Sequence, residues 1–271
     1  MTSWQRAIKY AAIAFAIFLA VSIIAGIVGA LAGLDLLFGG QNDSTAGEVK
    51  TYEISGGIDQ LDIDIGAADF QIKYGDEFRV ESNLNGLKVQ EKNGRLTISE
   101  NDHFGLTYHS EVKLTLYIPE GTVFDKADIT TGAGLVTIGE LAADTLKLEL
   151  GAGRVDIESL IALRDCEIHG GAGEITIRGG ALSDLDLEMG VGELNLTSEL
   201  TGECDLDCGI GAVSIVLLGS EEDYRVEIDK GLGEAVINGQ QAVNSQVYGS
   251  GRAEIDVDGG VGRIEISFRP L

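Results

Sequence analysis

Leu146-Lys-Leu-Glu-Leu-Gly151-Ala-Gly153-Arg-Val155-Asp-Ile157 is the stretch that decides the fold of this chain. Leu146, Leu148 and Leu150 alternate with polar residues, and Val155 and Ile157 resume the alternation after the glycines. A period of two is that of a β-strand with one face buried and one wet. The Gly-x-Gly between the two runs suits a tight corner, where positive φ and close backbone approach are needed. The triplet recurs, with first glycines at Gly132, Gly151, Gly171, Gly190, Gly209, Gly231 and Gly260, spaced 19, 20, 19, 19, 22 and 29 residues apart. Apolar pairs follow each triplet, from Val136/Ile138 to Ile264/Ile266, and similar alternations precede most of them.

One such coil cannot bury its apolar face alone, whereas coils stacked at the sheet spacing of about 4.8 Å bury all of them in one continuous core. The period therefore predicts an all-β chain built as a parallel β-solenoid of 19–20 residues per coil, with right-handed coiling expected. Stacking is expected in sequence order. Residues 50–130 read as separate strands, with a turn at Asn93-Gly94, and are expected to form irregular first coils or an antiparallel cap. The repeats proper are expected over 131–271. Extra residues in the last two coils fall in the far turn, the longest being Asn238–Glu254.

The body is preceded by an uncharged run from Tyr10 to Leu34, with Arg6 and Lys9 before it and Asp35 and Asp43 after it. A helix of that length reaches about 37 Å, enough to cross a hydrocarbon core of about 30 Å. The positive-inside rule places residues 1–9 in the cytoplasm, a single-pass helix at 10–34, a polar linker at 35–49, and the body outside the cell. A cleaved signal peptide ending near Ala30-Leu31-Ala32 is the competing reading, and it exports the body too. The net charge of −25 argues against nucleic-acid backbones as the main partner.

The acid has a side. The outward positions before successive corners read Lys147/Glu149, Glu167/His169, Asp186/Glu188, Asp205/Asp207, Glu227/Asp229 and Asp256/Asp258. In a solenoid these carboxylates form a ladder, with neighbours repelling by about 1 kcal/mol per pair before salt screening. Three readings stand: a solvated surface, a divalent-cation site, or attraction of cationic peptides or proteins. Ca²⁺ takes six to eight oxygens, which a flat ladder supplies poorly, so weak Ca²⁺ binding at most is expected, with no other cofactor. Crowding should raise folded carboxylate pKa values, so added salt or mild acid should stabilise the fold.

Other constellations are weaker. The Gly-rich corners resemble Ca²⁺-binding nonapeptide repeats, but Ile175 and Ile264 stand where the Asp ligand belongs. Cys166, Cys204 and Cys208 fall in inward register and at separations unsuited to a disulfide, so they read as small core hydrophobes. His103 and His109 flank a loop with Phe104 and Tyr108 and read as a hairpin turn. In the long loop, Gln240, Gln241, Asn244, Gln246 and Tyr248 are binding candidates, or the loop caps the last coil. No nucleophile–base pairing stands out, and no catalytic residue is assigned.

Val112-Lys-Leu-Thr-Leu-Tyr-Ile-Pro119-Glu-Gly121, followed by Gly-x-Gly repeats and preceded by an N-terminal apolar segment, resembles the bacterial "putative adhesin" family, a domain of unknown function common in Gram-positive envelope proteins. The resemblance covers roughly residues 50–270. It implies a β-solenoid at the cell envelope, in some relatives within envelope-stress operons, and it supplies no catalytic residues. The leading expectation is a non-enzymatic, membrane-anchored, extracellular structural or binding module with a cell-wall or cationic partner. A cation- or cationic-peptide-responsive envelope-stress protein comes second. A carbohydrate-active enzyme comes third, and the scarcity of Lys and Arg weighs against it.

Overall fold

The computed structural model describes residues 47–100 and 112–270. The expected membrane helix at 10–34, most of the linker, and the loop with His103, Phe104, Tyr108 and His109 lie outside the described residues. Among the described residues no helix is long and apolar enough to cross a membrane. The strands are β1 (Lys50–Glu53), β2 (Gln60–Gly75), β3 (Arg79–Ser82), β4 (Leu87–Lys92), β5 (Arg95–Glu100), β6 (Lys113–Pro119), β7 (Val123–Ile177), β8 (Gly180–Ser183), β9 (Leu185–Thr201), β10 (Glu203–Leu218), β11 (Tyr224–Asp229), β12 (Leu232–Ile237), β13 (Gln240–Gln241), β14 (Val247–Gly249) and β15 (Ala253–Arg269). Among the described residues a single 3-10 turn, Glu221–Asp223, interrupts them. The described part of the chain is all-β and solenoid-like.

Long strands run into the glycine corners, bend there and continue beyond them, so one strand contributes to two faces; at Gly231 alone among the Gly-x-Gly corners the strand breaks, into β11 and β12. Neighbouring coils pair in parallel: β2 with β7, β7 with β9, β9 with β10, and β10 with β15. The first glycines stack in the order Gly132, Gly151, Gly171, Gly190, Gly209, Gly260, each against the backbone of the one before it. At Gly211 (φ +149°) a Cβ would run into the Gly192 carbonyl oxygen, so both the conformation and the neighbouring coil exclude a larger residue.

Two features differ from the sequence reading. First, the coils do not stack in sequence order. β15 lies between β10 on one side and β11 and β12 on the other. The coil of β11 and β12 is therefore outermost, and the later strand fills the place beside β10. Local patterning cannot tell these two coils apart, because both alternate with the same period. Second, the regular coils begin before residue 131. β2 is a full coil bending at Gly66-Ala67-Ala68, with Ala67 opposite Ala133. β5 and β6 pair in parallel with its two halves and form the coil beyond it. Each end thus has the same plan: the second coil from the outside is β2 at one end and β15 at the other.

The inward residues of the coils make one hydrophobic core. Ile168, Leu187, Leu206, Val257 and Ile228 stack across five coils in register, each no more than 1% exposed. Burying each such side chain contributes about 1.5–3 kcal/mol. The open edges of the outermost coils are covered by short antiparallel strands. At one end β4 covers β5 and β3 covers β6, with β1 beyond β3. At the other, β14 covers β11 and β13 covers β12. An uncovered parallel edge presents unpaired N–H and C=O groups to any passing strand.

Candidate binding groove

The strand segment before each corner carries its outward residues in two columns. The first runs Glu167, Asp186, Asp205, Asp256, Glu227; the second runs His169, Glu188, Asp207, Asp258, Asp229. The expected ladder is present, with the correction that Asp256 and Asp258 stand between the β10 and β11 acids. Four neighbouring coils, on β9, β10, β15 and β11, hold eight carboxylates and no base in these columns.

Within these two columns, and among the described residues, charge compensation falls on the earlier coils, while on the later ones Arg225 pairs with Glu254 just before the first column. Lys147 Nζ lies 2.8 Å from Glu167 Oε1 and 3.1 Å from Glu149 Oε1. The hydrogen bond from Lys147 holds the Glu167 carboxyl below its usual range, and the two carboxylates raise the Lys147 ammonium. His169 Nε2 lies 3.3 Å from Glu167 Oε1. In the uncompensated block, Asp258 is pushed up, first by desolvation and then by the charges of Asp207, Asp229, Asp256 and Asp205.

Beside the second column runs a groove of about 990 Å³. Glu149, His169, Glu188, Asp207, Asp258 and Asp229 line it together with the corner glycines, and Leu150, Met189 and Cys208 give it apolar surface. His169, Asp186 and Glu188 each bring a ligand atom within 4.8 Å of the others. That donor set is smaller than the oxygen shell Ca²⁺ takes. The arrangement can attract and hold positive charge along its length.

The cysteines are free. Cys166 and Cys204 are buried, as expected, while Cys208 is only half-buried and lines the groove. Burial pushes the Cys166 thiol far up, and those of Cys204 and Cys208 up to about 11. Such thiols carry little thiolate near neutral pH.

The candidate loop is largely an edge cap. Gln240 and Gln241 form β13 against β12, and Tyr248 in β14 packs on the core while its hydroxyl accepts from the Val243 N–H at 2.8 Å. Asn244 donates to Asp229 Oδ1 at 2.6 Å and accepts from the Lys230 N–H at 2.9 Å. The Gln246 N–H closes a turn onto the Val243 carbonyl at 3.1 Å. These residues are thus held by the fold, and Asn244 hydrogen-bonds into the second acid column.

The sequence reading overlooked the middle residue of the corner. It is Ala in the earlier coils (Ala133, Ala152, Ala172) and becomes Val191, Ile210, Val261 and Leu232 in the four coils of the carboxylate block. These four stand in register, and none belongs to the core cluster or packs against it. Val191 is 39% exposed, and the other three are half-buried. The signal was present as a change of residue inside an otherwise constant triplet.

Fold and groove together define a solenoid-like repeat domain with one acidic side. The model of the Toastrack DUF4097 family matches residues 58–257, and the chain belongs to that family. Among solved structures it is similar to a "putative adhesin" from Bacteroides fragilis NCTC 9343, at 17% identity and a TM-score of 0.49, over 80% of this chain and 95% of that one. A "putative cell adhesion protein" from Clostridium sporogenes ATCC 15579 is similar at 12% identity and a TM-score of 0.35, over 82% and 99%. A "putative lipid binding protein" from Parabacteroides distasonis ATCC 8503 is similar at 16% identity and a TM-score of 0.38, over 80% and 97%. No curated protein matches the chain.

Proposed function

We propose that this chain is a non-enzymatic binding module of the cell envelope, and that the acidic groove takes a cationic protein or peptide. In this reading the apolar segment at 10–34 holds it in the membrane of a Gram-positive cell, and the right-handed solenoid faces outward. The observation that carries the reading is the block of eight carboxylates on four neighbouring coils beside the groove. Lys and Arg side chains laid along it would replace like-charge contacts, worth about 1 kcal/mol each before screening, with attractive ones. Asp258 is pushed up first by desolvation and then by its carboxylate neighbours, and the second contribution is that repulsion.

The test is binding of a fluorescent Lys-rich peptide to the full chain at low and high salt. Affinity should fall with salt. It should also fall about tenfold, or ~1.4 kcal/mol, in the double variant Asp207→Asn, Asp258→Asn. Binding indifferent to both changes would sink the reading. A second reading, divalent-cation binding, draws on the convergence of His169, Asp186 and Glu188. Ca²⁺ and Mg²⁺ matched in ionic strength should then shift the melting temperature differently. Equal shifts would leave only screening.

A further inference from the structure

The geometry points to a more specific occupant: a basic amphipathic helix of a partner, laid along the stacking axis with its apolar stripe on Val191, Ile210, Val261 and Leu232. This inference rests on the cationic-partner reading and names the shape of that partner. Two independent columns coincide on the same four coils. One is the carboxylate block; the other is the aliphatic corner column that stays outside the core. Along each coil they lie close together, with Glu188 and Val191 separated only by Met189 and Gly190. In the earlier coils both features lapse together: the corner residue shrinks to Ala172 or Ala152, and Lys147 compensates the acids. A solvated acidic surface has no use for aliphatic side chains beside it. A ligand with charge on one stripe and hydrocarbon on the next does.

The spacing selects the ligand's conformation. From the first to the last of four coils the columns advance about 14 Å. Three turns of an α-helix advance about 16 Å, so one basic and one apolar side chain per turn stay close to one coil each. Three two-residue repeats of an extended strand advance about 20 Å, and they drift out of step by more than a coil. A helix also places its basic and apolar residues on adjacent stripes, as the two columns require.

The experiment compares two peptides of identical composition. One has Lys and Leu placed to form adjacent stripes of a helix; the other is scrambled so that no stripe forms. Each is titrated against the full chain in zwitterionic nanodiscs, with empty nanodiscs as the blank. The striped peptide should bind at least about tenfold tighter than the scrambled one, and should gain helical circular dichroism on binding. The double variant Ile210→Ser, Val261→Ser should remove that preference while leaving the salt-dependent binding of the scrambled peptide in place. Its melting curve checks that the fold survives. Equal binding of both peptides, still lost in Asp207→Asn, Asp258→Asn, would overturn the helix and keep the cationic partner. Binding of neither peptide would overturn both.

Discussion

Asp207 lies in register beside Asp258, across the whole excursion of the chain through β11 to β14. On its other side Asp258 meets Asp229. Chain order would have put Asp207 next to Asp229; the insertion of β15 puts a third carboxylate between them. An acid flanked by carboxylates on both sides is therefore supplied by the last strand.

That position predicts a response to pH. Asp258 has a raised folded pKa, so the folded state takes up a proton before the unfolded chain does as pH falls. Stability should rise as pH drops from neutral through the raised folded value towards the ordinary Asp range. Glu167 has the opposite sign: the stability that Lys147 gives it is lost only as pH falls through its lowered value. The melting temperature should pass through a maximum in mild acid. Asp258→Asn should raise it by about 2–4 °C at neutral pH and flatten the gain on acidification. A wild-type melting temperature that only falls from neutral pH downward would refute the assignment.

The glycine corners predict a sharp contrast between two substitutions. Gly211→Ala forces a side chain into positive φ and against the Gly192 carbonyl, with a strain cost of about 1–3 kcal/mol before the clash is counted. Gly57 has open space around its Cβ position. Denaturant melts should show Gly211→Ala strongly destabilised and Gly57→Ala within about 0.5 kcal/mol of the parent.

The edge caps predict an association phenotype. Tyr248 anchors β14 to the core and to Val243. Tyr248→Ser should loosen β14 and expose the edge of β11, and the chain should then self-associate as concentration rises. Light scattering coupled to gel filtration reads this directly; a monodisperse profile equal to that of the parent counts against the role.

The thiols predict an order of reactivity. At neutral pH Cys208, half-buried at the groove, should react first with a thiol reagent, and Cys166 and Cys204 only on unfolding. A kinetic trace in which all three react together in the native state would contradict their placement.

The coil was legible in the sequence because its determinants are local. Leu146, Leu148 and Leu150 face inward by alternation alone, and Gly151 and Gly153 bend the chain whatever lies far away. Residues 60–75 lie within the expected irregular first coils or cap, and the regularity of the β2 coil escaped because Gly66-Ala67-Ala68 lacks the second glycine. The place of β15 escaped for another reason: Ile255 can pair with Cys204 or with Val226 equally well, and it does both. Stacking order depends on which loops can close, which periodicity does not record. The acid columns could be read residue by residue, but the two acids that flank Asp258 follow from that order and so were hidden with it.

The coils nearest the two ends of the described chain are not the outermost ones. To peel β15 away, a pull must shear its ladders with β10 and β11 at once, and β2 is gripped in the same way by β7 on one side and β5 and β6 on the other. Apart from β1, which pairs only with β3 at the outer edge, a stack that would otherwise unzip one coil at a time is locked at both ends. Once β1 has come away, the domain should bear tension at an end as one block, yielding in a single cooperative rupture rather than a series of small ones.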